Sequence, residues 1–497
     1  MRPLVVIDCV GLSSAQVTEK TPNLWALAQR GVSAPLSAVL PAVTCSAQAT
    51  FLTGRTPAEH GAVGNGWRLP STGEVNLWRQ ANSLVEGEKI YETARQRDPA
   101  FTCAKLFWWW NMGAAVDWSI TPRPYYPADG RKIPATYAWP TQFGQELEGD
   151  LGAFPFFDFW GPKAGLPSSR WIARAAIRTL ELQRPTLTLV YLPHLDYDHQ
   201  RFGPSDPRSL TALEELDKLV GELVEAADAR GAETLVLSEY AITPVQRTVH
   251  INRALREAGL LSARRGPGGE TLDVFGSRAF ALADHQVAHV YCQDDAAKAE
   301  ARQILSALDG VEDILEGPSL EAAGLNHPNA GDLVAVAEKD SWFTYYYWLD
   351  ADQEPDFAHT IDIHRKPGYD PLEMFIDPDL KLPIVRVARR LAQKRLGMRY
   401  LMDVIPVDKD LVRGSHGRLP ETPNEGPVWI SSANWGTENP EPSGGVVLAT
   451  SVRDRMLGLM GLNDDPIKMR NAVLDTDPEL DEDDGPEIVD ATLGFED

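Results

Sequence analysis

Two apolar runs with an amphipathic helix between them constrain the fold of this chain more than any other feature. Residues 186–192, TLTLVYL, are typical of a buried strand, and TLVLSEY at 234–240 is typical of a second one. Between them, residues 209–230 carry apolar side chains at spacings of three and four: Leu213, Leu216, Val220, Leu223 and Ala227. A strand, a covering helix and a strand in this order predict an α/β fold, with a mostly parallel sheet covered by helices on both faces.

Polar side chains stand at the ends of these strands. The opening run MRPLVVIDCVG ends in Asp8, the run at 186–192 leads into PHLDYDHQ with Asp196, and TLVLSEY delivers Glu239 and Tyr240. Far along the chain, RGSHG places His416 between two glycines. Because ligands bind at the carboxyl ends of strands in such sheets, we expect these side chains to converge on one edge as metal ligands.

Thr44 lies in the segment PAVTCSAQATFLTGRTPAEHG, at 41–61, where a short strand is expected to give way to a helix. Unpaired N–H groups and the positive end of the helix dipole suit that position to an anionic phosphate. Thr44 is therefore the candidate nucleophile. The alternative is a threonine that only caps the helix.

These motifs together resemble the type I phosphodiesterase/nucleotide pyrophosphatase family of the alkaline phosphatase superfamily. The family pattern has Asp after the first strand, then P-T-x-T-F-P-N-H with T-G-x-x-P-x-x-H-G, P-D-x-x-G-H, S-D-H-G-M and H-G. The same order is filled here by Asp8, PAVT with TGRTPAEHG, LDYDHQ, SEYAI and SHG. The resemblance covers residues 8–416 and implies an alkaline-phosphatase-like sheet with inserted cap segments.

The chain departs from the family pattern at several ligand positions. Ala47 and Gln48 stand where the family carries Asn and His. The histidine four residues after Asp196 is replaced by Gln200, and the family's Asp-His pair is Glu239 and Tyr240. Neutral tyrosine is a poor metal ligand, whereas glutamate still binds cations through oxygen.

The resemblance implies a hydrolase with two divalent ions, zinc first and manganese or magnesium as alternatives. Thr44, Asp8 and Glu239 would hold one ion. Asp196, His416 and one of His199, Gln200 or His364 would hold the second. In-line attack by Thr44 would give a covalent intermediate that water then cleaves.

Other histidines are candidates to replace the missing ligands. In TIDIH, alternation along a strand would put Thr360, Asp362 and His364 on one face, so His364 is the preferred substitute, although that face can equally be solvent-exposed. His250 follows the third motif. His285 and His289, in ADHQVAHVY, are assigned to a strand and interpreted as structural.

Domain organisation is predicted as a catalytic domain over 1–475 with insertions at about 68–165 and 255–350, followed by an acidic flexible tail at 476–497. The first insertion is rich in aromatic residues. It is interpreted as the core of a cap, or as a lid in which Arg123, Arg131 and Lys132 hold an anionic substrate. The second is predicted to be a small α+β unit.

Composition limits the partners. The chain has 71 acidic and 47 basic residues, a formal net charge of −24, which argues against a nucleic-acid polymer as ligand. No apolar stretch approaches the ~20 residues of a membrane span. Four cysteines without a C-x-x-C pair and the lack of a secretory signal favour a cytoplasmic protein.

Competing functions can be compared on the same residues. A sulfatase would need C/S-x-P-x-R, but Cys45 is followed by SAQA. A phosphomutase would also bind two metals, but the TGRTPAEHG continuation looks more like the phosphodiesterase branch. The alternative from another class is a degenerate scaffold that binds a phosphorylated ligand or partner without turnover. The substrate is expected to be a small phosphorylated molecule, whose identity the sequence leaves open, as it does the oligomeric state.

Overall fold

The computed structural model of the chain describes residues 1–128, 131–398, 400–436 and 439–462. The acidic tail predicted at 476–497 lies outside these residues. The strands are β1 (Leu4–Cys9), β2 (Val32–Pro35), β3 (Gly66–Arg68), β4 (Val75–Leu77), β5 (Cys103–Leu106), β6 (Trp118–Pro122), β7 (Thr136–Trp139), β8 (Leu187–Leu192), β9 (Glu233–Leu237), β10 (Thr243–Pro244), β11 (Arg247–Val249), β12 (Ala263–Gly266), β13 (Gly269–Leu272), β14 (Ala279–Asp284), β15 (Val287–Cys292), β16 (Val311–Leu315), β17 (Leu333–Ala337), β18 (Ser341–Phe343), β19 (Gly414–Ser415) and β20 (Val428–Ser431).

The helices alternate with these strands along the chain. They are α1 (Pro22–Arg30), α2 (Thr44–Thr53), α3 (Pro57–His60), α4 (Ile90–Arg97), α5 (Thr141–Leu151), α6 (Leu166–Leu182), α7 (His194–Phe202), α8 (Pro207–Asp228), α9 (Ile251–Glu257), α10 (Asp295–Ser306), α11 (Pro318–Ala322), α12 (Pro383–Arg395) and α13 (Val452–Leu459). Helix α8 is the amphipathic helix predicted at 209–230, and Asp206 caps it by accepting a hydrogen bond from the backbone N–H of Arg208.

The main sheet has the strand order β2-β20-β9-β1-β8-β5-β6-β7. Its centre, from β9 to β6, is parallel, while β20 and β7 pair antiparallel with the two sides of this centre and β2 pairs antiparallel with β20. Each crossover in the parallel part needs a connection over one face. The predicted α/β fold with a mostly parallel sheet is confirmed.

Alternation along β1 explains why both faces of this sheet are covered. Leu4 and Val6 belong to an apolar cluster with α2, α4 and α13, whereas Val5 and Ile7 belong to another with α1, α6 and α8. All four side chains are buried. A strand with two buried faces presents only its ends to other groups, so the polar chemistry is confined to the edge of the sheet.

Residues 68–165 differ from the inserted cap that was predicted. This stretch contributes β5, β6 and β7 to the main sheet, so that part of it belongs to the sheet itself. The side chains of the aromatic run at 107–110 are buried, as expected for an aromatic core. All four residues of β5 are buried, and a strand that is buried on both faces shows no apolar alternation in its sequence.

Residues 255–350 contain a second, antiparallel sheet in the order β14-β15-β17-β16, with α10 packed on it. In contrast, the strand predicted across TIDIH is wrong. Residues 360–364 form bends and turns, in which the side chain of Asp362 accepts hydrogen bonds from Arg365. These local side-chain bonds compete with an extended strand.

Every helix among the described residues is too short or too polar to cross a bilayer. The four cysteines are free, and Cys9, Cys45 and Cys103 are buried.

Candidate active site

The ends of three parallel strands place carboxyl groups at one edge of the main sheet. Asp8 lies at the end of β1, Asp196 lies in the first turn of α7 after β8, and Glu239 follows β9. His416 comes directly after β19. Glycine is required at position 414, two residues before His416, because a Cβ there would lie 2.3 Å from the backbone oxygen of His199 in α7.

Thr44 is the first residue of α2 and is buried. The N-cap position is occupied by Val43, so the side chain of Thr44 does not serve as the cap. No strand precedes it directly, since β2 ends at Pro35. The hydroxyl instead lies 3.4 Å from the Tyr240 hydroxyl, and it is near enough to Glu239 to counteract the rise in the pKa of that carboxyl.

Asp8 and Glu239 form a buried carboxyl pair bridged by Gln48. The Nε2 group of Gln48 donates to Asp8 Oδ2 at 3.1 Å and to Glu239 Oε1 at 2.6 Å. The backbone N–H of Trp109 donates to Gln48 Oε1 at 2.6 Å, which fixes the amide with its NH₂ group towards the carboxyls. Asp8 Oδ1 and Glu239 Oε2 remain buried without a hydrogen-bond partner.

Burial of this pair disfavours two negative charges. Desolvation raises the pKa of Asp8 well above its ordinary value, and the nearby charge of Glu239 raises it further. Desolvation also raises the pKa of Glu239. Two buried carboxyls in contact are stabilised by a shared proton or by a cation.

Asp196 lies in a separate hydrogen-bonded array. Gln200, one helical turn further along α7, donates to Asp196 Oδ2 at 2.7 Å, and the Tyr240 hydroxyl donates to Oδ1 at 3.4 Å. The carbonyl of Gln200 in turn accepts from the Tyr369 hydroxyl at 2.9 Å. Desolvation raises the pKa of Asp196 to about 7.

Four rings form a column beside this array. Tyr369 stacks on His285, His285 contacts His416, and His416 stacks on Tyr240, with centroids 3.6, 3.7 and 3.6 Å apart. His416 Nδ1 contacts the Ala42 oxygen at 2.7 Å, whereas its Nε2 has no partner and lies 3.9 Å from Asp196 Oδ1. Desolvation lowers the pKa of His416 well below its ordinary value, so the ring is neutral.

His285 is a site residue that sequence reasoning missed, because it was assigned to a strand. It occupies the turn between β14 and β15 with φ of 62°, a conformation uncommon for residues other than glycine. Its Nδ1 lies 2.8 Å from Asp284 Oδ1, and its Nε2 is buried without a partner. The break in the apolar alternation at ADHQ was the signal for this turn.

Asn65 was also missed. Its Oδ1 accepts from the N–H of Cys45 at 3.0 Å, next to Thr44, while its own backbone and side-chain N–H groups donate to Asp284. An amide thus lies beside the start of α2 although Ala47 and Gln48 replace the family residues. The flanking Gly64 and Gly66 were the available signal, since a Cβ at Gly66 would meet Leu77 at 2.5 Å.

Several predicted residues lie elsewhere. His364 Nδ1 faces the Leu77 oxygen at 3.3 Å, and its ring lines a cavity of about 170 Å³ with Thr271 and Tyr347. His250 caps α9 and contacts Thr344. Three other candidate residues also have contacts of their own. His199 Nε2 lies 3.4 Å from the Gln16 side chain, and Lys132 lies over the Phe156 ring. The backbone N–H of Arg123 donates to the Ala135 oxygen.

The donors fit one cation better than two. Among the described residues, no three His, Cys, Asp or Glu side chains form a group able to hold a metal ion. Two free carboxylate oxygens of Asp8 and Glu239 with the Thr44 hydroxyl form an oxygen set suited to a hard cation. Around Asp196 the oxygens already accept hydrogen bonds, and the nitrogens without a partner are His416 Nε2 and, from outside the predicted second set, the neighbouring His285 Nε2. The residues of the second set therefore do not fit the second ion that was predicted.

Comparisons with known proteins agree with this arrangement of motifs. The family model described as type I phosphodiesterase / nucleotide pyrophosphatase matches residues 4–370. An uncharacterized pyrophosphatase/phosphodiesterase of Schizosaccharomyces pombe is 28% identical over 229 residues, which are 45% of this chain and 41% of that protein. The chain thus spans about two fifths of the length of this curated relative.

Solved structures share the fold. The phosphonoacetate hydrolase of Sinorhizobium meliloti 1021, in complex with phosphonoformate, has a TM-score of 0.57 and 15% identity, covering 93% of this chain and 96% of that one. An inactive variant of murine ectonucleotide pyrophosphatase/phosphodiesterase 5 in complex with AMP has a TM-score of 0.56 and 13% identity, covering 94% and 96%. At these identities the likeness establishes the alkaline-phosphatase-like fold.

Proposed function

The chain belongs to the type I phosphodiesterase/nucleotide pyrophosphatase family, and from this premise we propose that it hydrolyses a phosphodiester or pyrophosphate bond of a small phosphorylated substrate. Thr44 is the proposed nucleophile. The observation that carries the proposal is the buried Thr44 hydroxyl at the start of α2, 3.4 Å from the Tyr240 hydroxyl and beside Glu239, which Gln48 bridges to Asp8.

The local charges support attack on an anionic centre. The first turn of α2 carries the positive end of the helix dipole, which stabilises phosphoryl oxygens, while the N–H of Cys45 donates to Asn65. In the first step the Thr44 oxygen bonds to phosphorus, the bond to the leaving oxygen breaks, and Glu239, whose pKa responds to the Thr44 hydroxyl, is the proposed acceptor of the hydroxyl proton. Water then attacks the threonine ester and frees Thr44.

A cation fits this half of the site. A divalent ion of the magnesium or manganese class, held by Asp8, Glu239 and Thr44, would make the hydroxyl more acidic and withdraw charge from the phosphoryl group. Gln48 keeps one oxygen of each carboxyl hydrogen-bonded, and the two other oxygens have no hydrogen-bond partner and remain available to an ion.

A cavity next to Asn65 suits the rest of a small substrate. It has a volume of about 190 Å³ and is lined by Asn65, Trp67, Leu69, Asn76, Arg79, Leu84 and Trp110. Indole rings offer stacking surfaces, and the Arg79 guanidinium favours anions. Phosphonoformate and AMP, the ligands named for the solved structures above, are small anions of this kind.

The proposal is tested with bis-p-nitrophenyl phosphate in the presence of magnesium, manganese or zinc. Thr44→Ala is expected to lower kcat by at least about 10³-fold, because the nucleophile is removed, whereas Thr44→Ser retains a hydroxyl and should keep measurable turnover. Intact-mass spectrometry should detect an adduct in Thr44→Ser that is absent from Thr44→Ala. Equal rates for the wild type and Thr44→Ala would contradict the nucleophile.

A second candidate function is binding without turnover. The saturated array of Gln200, Tyr240 and Asp196 favours it, because these groups stabilise one another without an ion. In that case calorimetry would detect AMP binding while no variant or metal gives hydrolysis. Turnover that depends on Thr44 would exclude this candidate.

A further inference from the structure

Helix α12 exposes apolar side chains along one face. None of its residues is buried. Large aliphatic side chains in and around the helix are exposed by 47% to 83%: Leu382, Ile384, Val385, Leu391, Leu396 and Met398. A soluble surface helix normally turns such side chains towards the core, so this helix has an outward apolar face that lacks a covering layer among the described residues.

The inward face of α12 is polar instead. Arg386 and Arg390 both point to Asp403, and the Arg390–Asp403 contact is 2.9 Å long. These guanidiniums lower the pKa of Asp403 to about 2. Val387 is the partly buried apolar residue that packs against the core on this side. The ion pairs therefore fix the rotation of the helix and keep Ile384 and Leu391 directed outward.

The charge around this face is opposite to that of the whole chain. Residues 380–399 contain no acidic residue and seven basic ones: Lys381, Arg386, Arg389, Arg390, Lys394, Arg395 and Arg399. The chain as a whole has a formal net charge of −24. Lys381, Arg389 and Arg395 are exposed beside the apolar face, so this face attracts anionic surfaces that the rest of the molecule repels.

We propose that the outward face of α12 docks on the surface of a lipid bilayer that carries anionic head groups. Aliphatic side chains enter the boundary between head groups and acyl chains, and the exposed lysine and arginines contact the phosphates. A second copy of the chain is a poorer occupant, because two α12 faces would bring like charges together. The helix lies in the plane of the interface and does not span it.

Vesicle co-sedimentation of the full chain tests the proposal. The protein is expected to sediment with phosphatidylcholine vesicles containing roughly 30% phosphatidylserine, at least about tenfold more than with phosphatidylcholine alone, and to be released by about 0.5 M NaCl. The double substitution Ile384→Asp with Leu391→Asp should abolish binding. Its matched control, Phe157→Asp with Phe275→Asp, changes exposed apolar residues elsewhere and should bind as the wild type.

A charge variant separates the electrostatic contribution to vesicle binding from the apolar one. Arg389→Glu with Arg395→Glu should weaken binding at least about tenfold, whereas Arg264→Glu with Arg265→Glu, an exposed pair on β12, should not. Circular dichroism checks that each variant folds. The proposal is overturned if the wild type does not sediment with anionic vesicles, or if the Ile384/Leu391 variant sediments equally. The proposal is also overturned, in favour of a contact between two copies, if the wild type does not bind vesicles but forms a dimer in light scattering and the Ile384/Leu391 variant is monomeric.

Discussion

Replacement of Gln48 by leucine tests whether this amide holds the carboxyl pair together. Leucine has a similar size, so the main change is the loss of three hydrogen bonds. The Trp109 N–H would be buried without an acceptor, and Asp8 and Glu239 would each lose a donor. Gln48 is fully buried, so water does not replace the amide.

The expected cost follows from these contacts. An orphaned buried N–H costs ~1–3 kcal/mol, and a hydrogen bond to a charged group contributes ~1.5–3 kcal/mol. Asp8 and Glu239 can relieve part of the loss by sharing a proton, so only one of the two carboxyl bonds is counted in full. The free energy of unfolding should therefore fall by about 3–5 kcal/mol.

Urea denaturation followed by tryptophan fluorescence measures this change. The matched control is Gln246→Leu, whose exposed amide donates to Asp340 at 3.1 Å and whose loss should cost less than ~0.5 kcal/mol. If Gln48→Leu unfolds within about 1 kcal/mol of the wild type, the bridging role of the amide is refuted.

Three further outcomes are expected. Equilibrium dialysis against manganese should give about one bound ion per chain in the wild type and in Gln200→Leu, and none in Asp8→Asn. In Gln200→His, which places an imidazole beside Asp196 and His416, the number of bound ions should rise to about two. Two ions in the wild type would contradict the assignment of a single site. Burial lowers the pKa of Lys105 from 10.5 to about 7, so the unfolded chain binds more protons above pH 7 and stability rises with pH. From pH 7 to 9 the wild type should gain roughly 2 kcal/mol relative to Lys105→Met in urea denaturation, and no difference would disprove the buried neutral amine. Gly414→Ala puts a Cβ 2.3 Å from the His199 oxygen and should cost about 1–3 kcal/mol, while Gly436→Ala, in open space, should be neutral; equal melting temperatures would show that β19 can move aside.

Local periodicity was enough to locate the central strands β1, β8 and β9 of the main sheet and the helix α8 that covers them. The buried runs at β1, β8 and β9 and the apolar stripe of α8 are properties of neighbouring residues, so they can be recognised without the fold. The same logic failed at TIDIH, where alternation suggested a strand but Asp362 bonds to Arg365 and turns the chain. It also failed at 68–165, because β5 to β7 are defined by their pairing in the sheet.

The candidate site likewise contains residues whose positions follow from the sequence and residues whose roles depend on the tertiary structure. The positions of Asp8, Asp196 and Glu239 were predictable because strand ends of a parallel sheet meet at one edge, whereas His416 follows β19, which pairs with β10 outside the main sheet. The contributions of Asn65 and His285 were not, since each depends on a contact with residues more than a hundred positions away or on a turn conformation.

The order of strands, helices and polar strand ends was written in the sequence, because burial and backbone geometry act over a few residues. Which donors face the carboxyls was decided by the tertiary structure alone. Trp109 sets the orientation of Gln48, and Tyr369 sets that of Gln200. Hydrogen bonds between distant segments form only when the whole fold brings their atoms within about 3 Å, and no local pattern encodes that distance.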